Sequence, residues 1–275
     1  MPLSALSLFV DEDLDSGNLR RAEAEGLDFD GLAGGEAHVG EEGFWGGEGV
    51  GLDVVHADAV GEELAEVFVL GDEYDVEAAG FEVLVFHSTG AGGRAMESLI
   101  ESGLVAGVLD ITTTEWADEL VGGILGAGPA RLDAAAKAGV PAIVVPGCLD
   151  MVNFGEPQTV PAKFAGRTFY HHNPQVTLMR TNAAECAELG RILAEKVNRY
   201  PAPVTVLLPL RAISVISAEG QPFYDPAADA ALFGAIKQHL RPEIPVIELD
   251  AKINDPAFAQ ACAGTLLATL VGAAR

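Results

Sequence analysis

Val85-Phe86-His87-Ser88-Thr89-Gly90-Ala91-Gly92-Gly93-Arg94-Ala95-Met96-Glu97, followed by Asp110-Ile111-Thr112-Thr113-Thr114-Glu115-Trp116-Ala117-Asp118-Glu119, is the stretch that decides the fold. A buried-looking apolar run stops at His87, and the small-residue loop Ser88–Gly93 opens a helical pattern. A second apolar run, Leu104 to Ile111, stops at three threonines and an acidic cluster. The unit is β-loop-α-β, with both polar loops at the carboxyl ends of its strands. Ligands of open α/β sheets sit at that edge.

A glycine loop lets the backbone approach an anion closely, and the free N–H groups at a helix start favour negative charge. Ser88, Thr89, Gly90, Gly92 and Gly93 are therefore candidate ligand-binding residues, a cradle for phosphate or carboxylate. The spacing matches neither a dinucleotide fingerprint nor a Walker loop, and no Lys follows. A tight β-α turn that requires positive φ explains the same glycines.

The pattern continues outward from this unit. Apolar runs at Phe81–Phe86, Val105–Ile111, Pro141–Val145, Val204–Leu208 and Val246–Leu249 are short, rich in Val, Leu and Ile, and bounded by Gly, Pro or Asp. Strands buried on both faces have this form. Helical patterns lie between them at Gly93–Glu101, Glu115–Leu125, Ala130–Ala138, Ala183–Asn198, Ala227–Leu240 and Pro256–Leu270, with Thr181 and Asp255 as candidate N-caps. Alternating segments predict an α/β fold: a doubly wound, mainly parallel sheet in a Rossmann-like three-layer arrangement.

Residues 146–180 break the alternation and predict a long functional loop, rich in His, Asn and aromatics. His171 and His172 point opposite ways if extended, and His172, before Asn173-Pro174, is the one expected to face a site. The strand ends supply the rest of a possible constellation. These are His87, Ser88 and Thr89; Asp110, Thr112, Thr113, Thr114 and Glu115; Asp150 and Asn153; Arg211; and Asp250, with Asn254 and Asp255 beyond. Hydroxyls, an Arg, a glycine loop and carboxylates on one rim suit a phosphorylated ligand with a divalent cation. They also suit acid–base work by His87, Glu115 or His172. Asp and Thr at strand ends are equally ordinary helix caps. Cys148, at a strand end, is expected to be a small buried thiol rather than a nucleophile.

The chain of 275 residues carries a formal charge of −25, which argues against nucleic acid or anionic membrane as the main partner. The charge is unevenly placed. Residues 1–80 hold 21 Asp/Glu against only Arg20 and Arg21, with 14 glycines and no Lys. Such a segment is expected to be poorly packed, since ordering costs roughly 1–2 kcal/mol per residue and little periodic apolar surface offsets it. Only Ala59 to Val69 has a helix or strand pattern there. Residues 1–76 are thus expected to stand apart from an α/β domain at 77–275. No secretory signal or membrane-length apolar stretch is visible, and three widely spaced cysteines suggest a reducing cytoplasm.

From Phe81 onward the chain resembles uncharacterised protein family 0261, bacterial proteins related to the ATP-binding region of the tomato mosaic virus resistance protein. The resemblance rests on His87–Glu97, Asp110–Glu115, Leu149-Asp150-Met151-Val152-Asn153-Phe154-Gly155, His172-Asn173-Pro174 with Met179-Arg180-Thr181, and Gln221-Pro222-Phe223-Tyr224-Asp225-Pro226. These runs occur in the family's order and cover about residues 77–275. The resemblance implies an α/β protein of two domains and ATP binding, with ATP and magnesium as the expected cofactors. It settles neither enzymatic activity nor a catalytic residue. Family members begin with an α/β domain carrying a Gly-Thr-x-Asp-Thr-Lys-like run, and their second domain opens with a Gly-Val-Thr-Thr-Pro-like turn. Neither occurs here; a wrong start or a shifted reading frame upstream of residue 77 would account for both the abrupt start and the composition, and a natural acidic tail is the other reading of the composition.

Three functions follow as expectations. The first is a cytoplasmic nucleotide-binding protein, acting on a small-molecule ligand and able to form a homo-oligomer. The second is a metal-assisted or acid–base enzyme on a small carboxylate or sugar-derived substrate. The third is a truncated, inactive family member.

Overall fold

The computed structural model describes residues 5–11, 79 and 81–273. The Ala59–Val69 pattern and nearly all of the acidic segment lie outside the described residues. All five expected strands form: β2 (Phe81–His87), β3 (Gly107–Thr112), β4 (Ala142–Gly147), β8 (Val204–Pro209) and β9 (Val246–Leu249). A sixth strand, β1 (Ala5–Asp11), was not expected. It lies between β2 and β3, antiparallel to both, in the order β2-β1-β3-β4-β8-β9. The other neighbouring pairs are parallel. β2 and β3 therefore point the same way across β1, and the sheet is mainly parallel.

Helices α1 (Ala91–Glu101), α2 (Glu115–Val121), α3 (Ala134–Ala138), α4 (Ala183–Val197), α5 (Pro226–His239) and α6 (Pro256–Ala273) fill the expected intervals. The double burial of the strands shows in their alternation. Val108, Val144, Val206 and Leu208 join one core with Met96 of α1, Leu132 in the turn before α3, Leu189 of α4 and Leu232 of α5. Leu109, Ile143, Val145 and Leu207 join a second core with Phe258, Cys262 and Leu266 of α6. The result is three layers.

Two expectations need correction. The N-cap of α4 is Asn182, not Thr181: Glu185 N–H donates to the Asn182 side chain and the Glu185 carboxylate accepts the Asn182 N–H, a complete capping box. Thr181 is instead buried, its hydroxyl donating to the Leu149 carbonyl at 2.9 Å. Residues 146–180 are also not one irregular loop. They contain β5 (Met151–Phe154), β6 (Phe169–Asn173) and β7 (Val176–Arg180), a three-stranded antiparallel sheet in the order β5-β7-β6. The strands are only four or five residues long, too short for a period-2 signal to stand out.

Candidate functional site

Because β2, β3, β4, β8 and β9 run the same way, their carboxyl ends share one rim. Polar groups leaving the strand ends need partners, and here they find them in neighbouring loops. The Ser88 hydroxyl donates to the Thr112 carbonyl at 3.3 Å. The Thr113 N–H donates to the Gly147 carbonyl at 3.0 Å, and its hydroxyl to the Val145 carbonyl at 3.1 Å. The Cys148 N–H reaches the Ile213 carbonyl at 2.8 Å, and the Ser214 hydroxyl reaches the Asp150 carboxylate at 2.7 Å. The Ile253 N–H closes the series on the Ala212 carbonyl at 2.9 Å. A continuous polar seam thus runs from Ser88 to Ile253.

The glycine loop serves close packing first. Gly90, the N-cap of α1, has φ +76°, and a side chain there would meet the Leu125 and Gly126 carbonyls at 2.8 Å. A Cβ on Gly92 would lie 1.9 Å from the His87 carbonyl oxygen, and one on Gly93 would lie 2.1 Å from Glu115 Oε1. Helix α1 starts with no side-chain cap and no acidic residue in its first turn. Its orphan N–H donors are those that every helix start leaves. In contrast, α4 and α5 are capped by Asn182 and Asp225.

Beneath this loop lies Arg131, which the sequence reading missed. It is 1% exposed and forks onto Asp110 with two bonds of 2.6 Å. It also donates to Glu115 at 2.9 Å, Glu97 at 3.2 Å and the Thr112 carbonyl at 3.3 Å. Glu97 in turn accepts the Leu132 and Ala134 N–H groups, which ties α1 to the start of α3. Leu132, the next residue, adopts φ +74°, a left-handed conformation costing roughly 1–2 kcal/mol. A signal existed: Arg131 is the only basic residue between Arg94 and Lys137, a span holding seven acids. One cation against three carboxylates leaves the cluster formally negative. Burial pushes Asp110 up to about 6, with the guanidinium pulling the other way.

Two further carboxylates are buried along the rim. Asp118 accepts the Leu125 N–H at 3.0 Å, the Asn153 N–H at 2.6 Å and the Asn153 side-chain amide at 3.0 Å. Burial nevertheless raises it to about 6. Asp150 is also raised by burial to about 6, opposed by Arg180 and Ser214. Arg180 itself is anchored by Asp229 at 2.5 Å and the Phe223 carbonyl at 2.9 Å. Three buried oxygens on this rim have no hydrogen-bond partner among the described residues: Thr114 Oγ1, Glu115 Oε1 and Asp150 Oδ1.

The remaining candidates are placed as follows. His87 ends β2 beside the loop, and Thr89 is exposed on it. Thr112, Thr113, Thr114, Glu115, Asp150 and Asn153 are all buried, which ties the rim together rather than leaving it open. His172 lies on β6, its ring 6.4 Å from that of Tyr170, and partial burial holds it below the ordinary imidazole value. Arg211 is exposed and forks onto Asp250 with two bonds of 2.7 Å. Cys148 is half-buried with φ +57°, while the Cys186 and Cys262 thiols are the fully buried ones.

Comparison with known proteins adds the lineage. Residues 73–270 match the model of the uncharacterised protein family UPF0261, C-terminal domain. A UPF0261 protein of Clostridium tetani is 51% identical over 199 residues, which cover 72% of this chain and 49% of the relative. One from Rhizobium meliloti is 51% identical over 66% of this chain and 46% of its own length. The ToMV resistance protein Tm-1 of Solanum lycopersicum is 43% identical over 190 residues, 68% of this chain and 25% of that protein. The chain spans about half the length of the bacterial relatives and a quarter of the plant one.

Proposed function

This chain belongs to the uncharacterised protein family UPF0261, and we propose that it is a nucleotide-binding protein that holds ATP on the carboxyl rim of its sheet. The observation that carries the reading is the start of α1: an uncapped helix N-terminus, free of acidic residues, at the carboxyl end of a parallel strand. Anions are stabilised there by the N–H groups and the helix dipole. The amides of Gly92 and Gly93 and the exposed hydroxyl of Thr89 would face the phosphates.

Among the described residues no group of three or more His, Cys, Asp or Glu side chains could hold a metal ion. Magnesium would therefore enter with the nucleotide, mostly on phosphate and water oxygens, as it commonly does. No helix of the described residues is long and apolar enough to cross a membrane.

Calorimetry of the full chain with ATP and magnesium tests the reading. The Thr89→Glu variant places a negative charge on an exposed loop position without touching the packed glycines. It should weaken ATP binding by about tenfold or more, a loss of ~1.4 kcal/mol. Absence of binding at millimolar ATP, or an unchanged Kd in the variant, would overturn it.

A further inference from the structure

Arg94 stands apart from the molecule's other arginines. Each of the others among the described residues forms an ion pair with a carboxylate, and Arg94 forms none. Its own helix offers Glu97, three residues on, a spacing at which such pairs form. That carboxylate is taken instead by Arg131 and by the Leu132 and Ala134 N–H groups.

Its position is equally unusual. Helices α3, α4 and α5 carry Lys137, Lys196 and Lys237 in their last turns, and α4 and α5 carry Glu185 and Asp229 in their first. The helix dipole favours that arrangement. Arg94 lies in the first turn of α1, where there is no acid, so a whole positive charge adds to the partial one of the helix start. The geometry brings the two together, because helical side chains lean towards the N-terminus. The guanidinium Nη1 donates to the Gly126 carbonyl at 3.3 Å. The same oxygen lies 2.8 Å from where a Cβ on Gly90, the N-cap, would stand. One long bond to a neutral carbonyl uses one of five N–H donors, and the side chain is exposed.

We propose that Arg94 is the phosphate-binding cation of the rim: its guanidinium leaves the Gly126 carbonyl and forks onto phosphate oxygens of the ligand. The charge balance calls for such a group. The Arg131 cluster beneath the loop is formally negative, and the chain as a whole carries −25, so a helix start alone offers an anion only a partial charge against repulsive surroundings. A guanidinium supplies a full charge and a planar fork that matches two phosphate oxygens. The assignment rests on the nucleotide reading for the identity of the ligand, whereas the unpaired charge at the helix start stands without it.

Calorimetry of the full chain with ATP and magnesium, and separately with inorganic pyrophosphate, tests the assignment, with urea denaturation of each variant beside it. Arg94→Gln should weaken both ligands by about tenfold or more, as loss of a charge-assisted bond does, and leave the urea midpoint unchanged. Arg94→Lys keeps the charge but not the fork and should fall between the two. ATP binding that weakens in Thr89→Glu but holds in Arg94→Gln would remove Arg94 from the site and leave the nucleotide reading in place. Pyrophosphate binding that depends on Arg94, without binding of ATP, would keep Arg94 and remove the nucleotide. A loss of affinity matched by a lower urea midpoint would make Arg94 a brace for the turn at 122–128, and the proposal would fall. No saturable binding of either ligand by about 10 mM would end both readings.

Discussion

Two arginine–aspartate pairs with the same geometry sit at the two ends of the rim. Arg131 forks onto Asp110 with bonds of 2.6 Å, and Arg211 forks onto Asp250 with bonds of 2.7 Å. Their surroundings are opposite. The first pair is 1% and 3% exposed, the second 58% and 75%. In water a fork of this kind is screened and loses side-chain entropy, so it contributes little. In the interior each ion has already given up its hydration, and the partners depend on one another. Geometry alone therefore does not rank the two; burial does. Arg211 was the arginine expected to bind ligand, whereas Arg131 ties the end of β3 to Glu97 of α1 and to Glu115 at the start of α2.

The largest effect expected from this contrast is on Arg131. Arg131→Ala leaves Asp110 and Glu115 buried without their cation and should cost about 3–5 kcal/mol, read as a lowered urea midpoint or failure to fold. Arg131→Lys keeps the charge but loses the fork and should fall between the two. A loss no larger than that of a surface pair would erase the distinction.

A smaller effect concerns a buried carboxylate that has no cation, Asp118. Its folded value of about 6 exceeds the ordinary 3.8 because of burial. Above pH 6 both folded and unfolded forms are ionised, and the folded form carries the burial penalty. As pH falls from 6 towards 4, the folded state takes up the proton first, so stability rises, by up to ~3 kcal/mol for this group. Asp118→Asn removes the titration but keeps only one acceptor oxygen, so it retains either the Asn153 N–H bond or the Leu125 N–H bond and costs some stability at every pH. It should flatten this part of the curve in denaturation series at pH 7 and pH 5. An identical slope in the variant would show that Asp118 titrates as if exposed.

The smallest effect belongs to the exposed pair. Arg211→Ala should leave the urea midpoint unchanged within error, with or without added salt, since both partners are open to solvent. A salt-dependent loss comparable with that at Arg131 would break the comparison from the other side.

The amino-acid sequence by itself determined the layered α/β plan. Runs such as Val83–Phe86 and Pro141–Val145 are apolar at consecutive positions, short and bounded by polar or turn residues, as strands covered on both faces are. It also marked the polar strand ends, because His87 and Thr112–Thr114 directly follow apolar runs and Asp150 lies a few residues beyond one. Tertiary structure decided the rest, for reasons of distance along the chain. Ala5–Asp11 pairs with β2 and β3 across seventy or more positions, and no local period announces a long-range ladder. The three short strands of residues 151–180 are stabilised by one another and by Phe223, not by their own pattern. Above all, Arg131 read as one charge among many until folding brought Glu97, Asp110 and Glu115 around it from three separate elements. Charge is written in the sequence, but whether it meets water or other charges is settled only when the layers close.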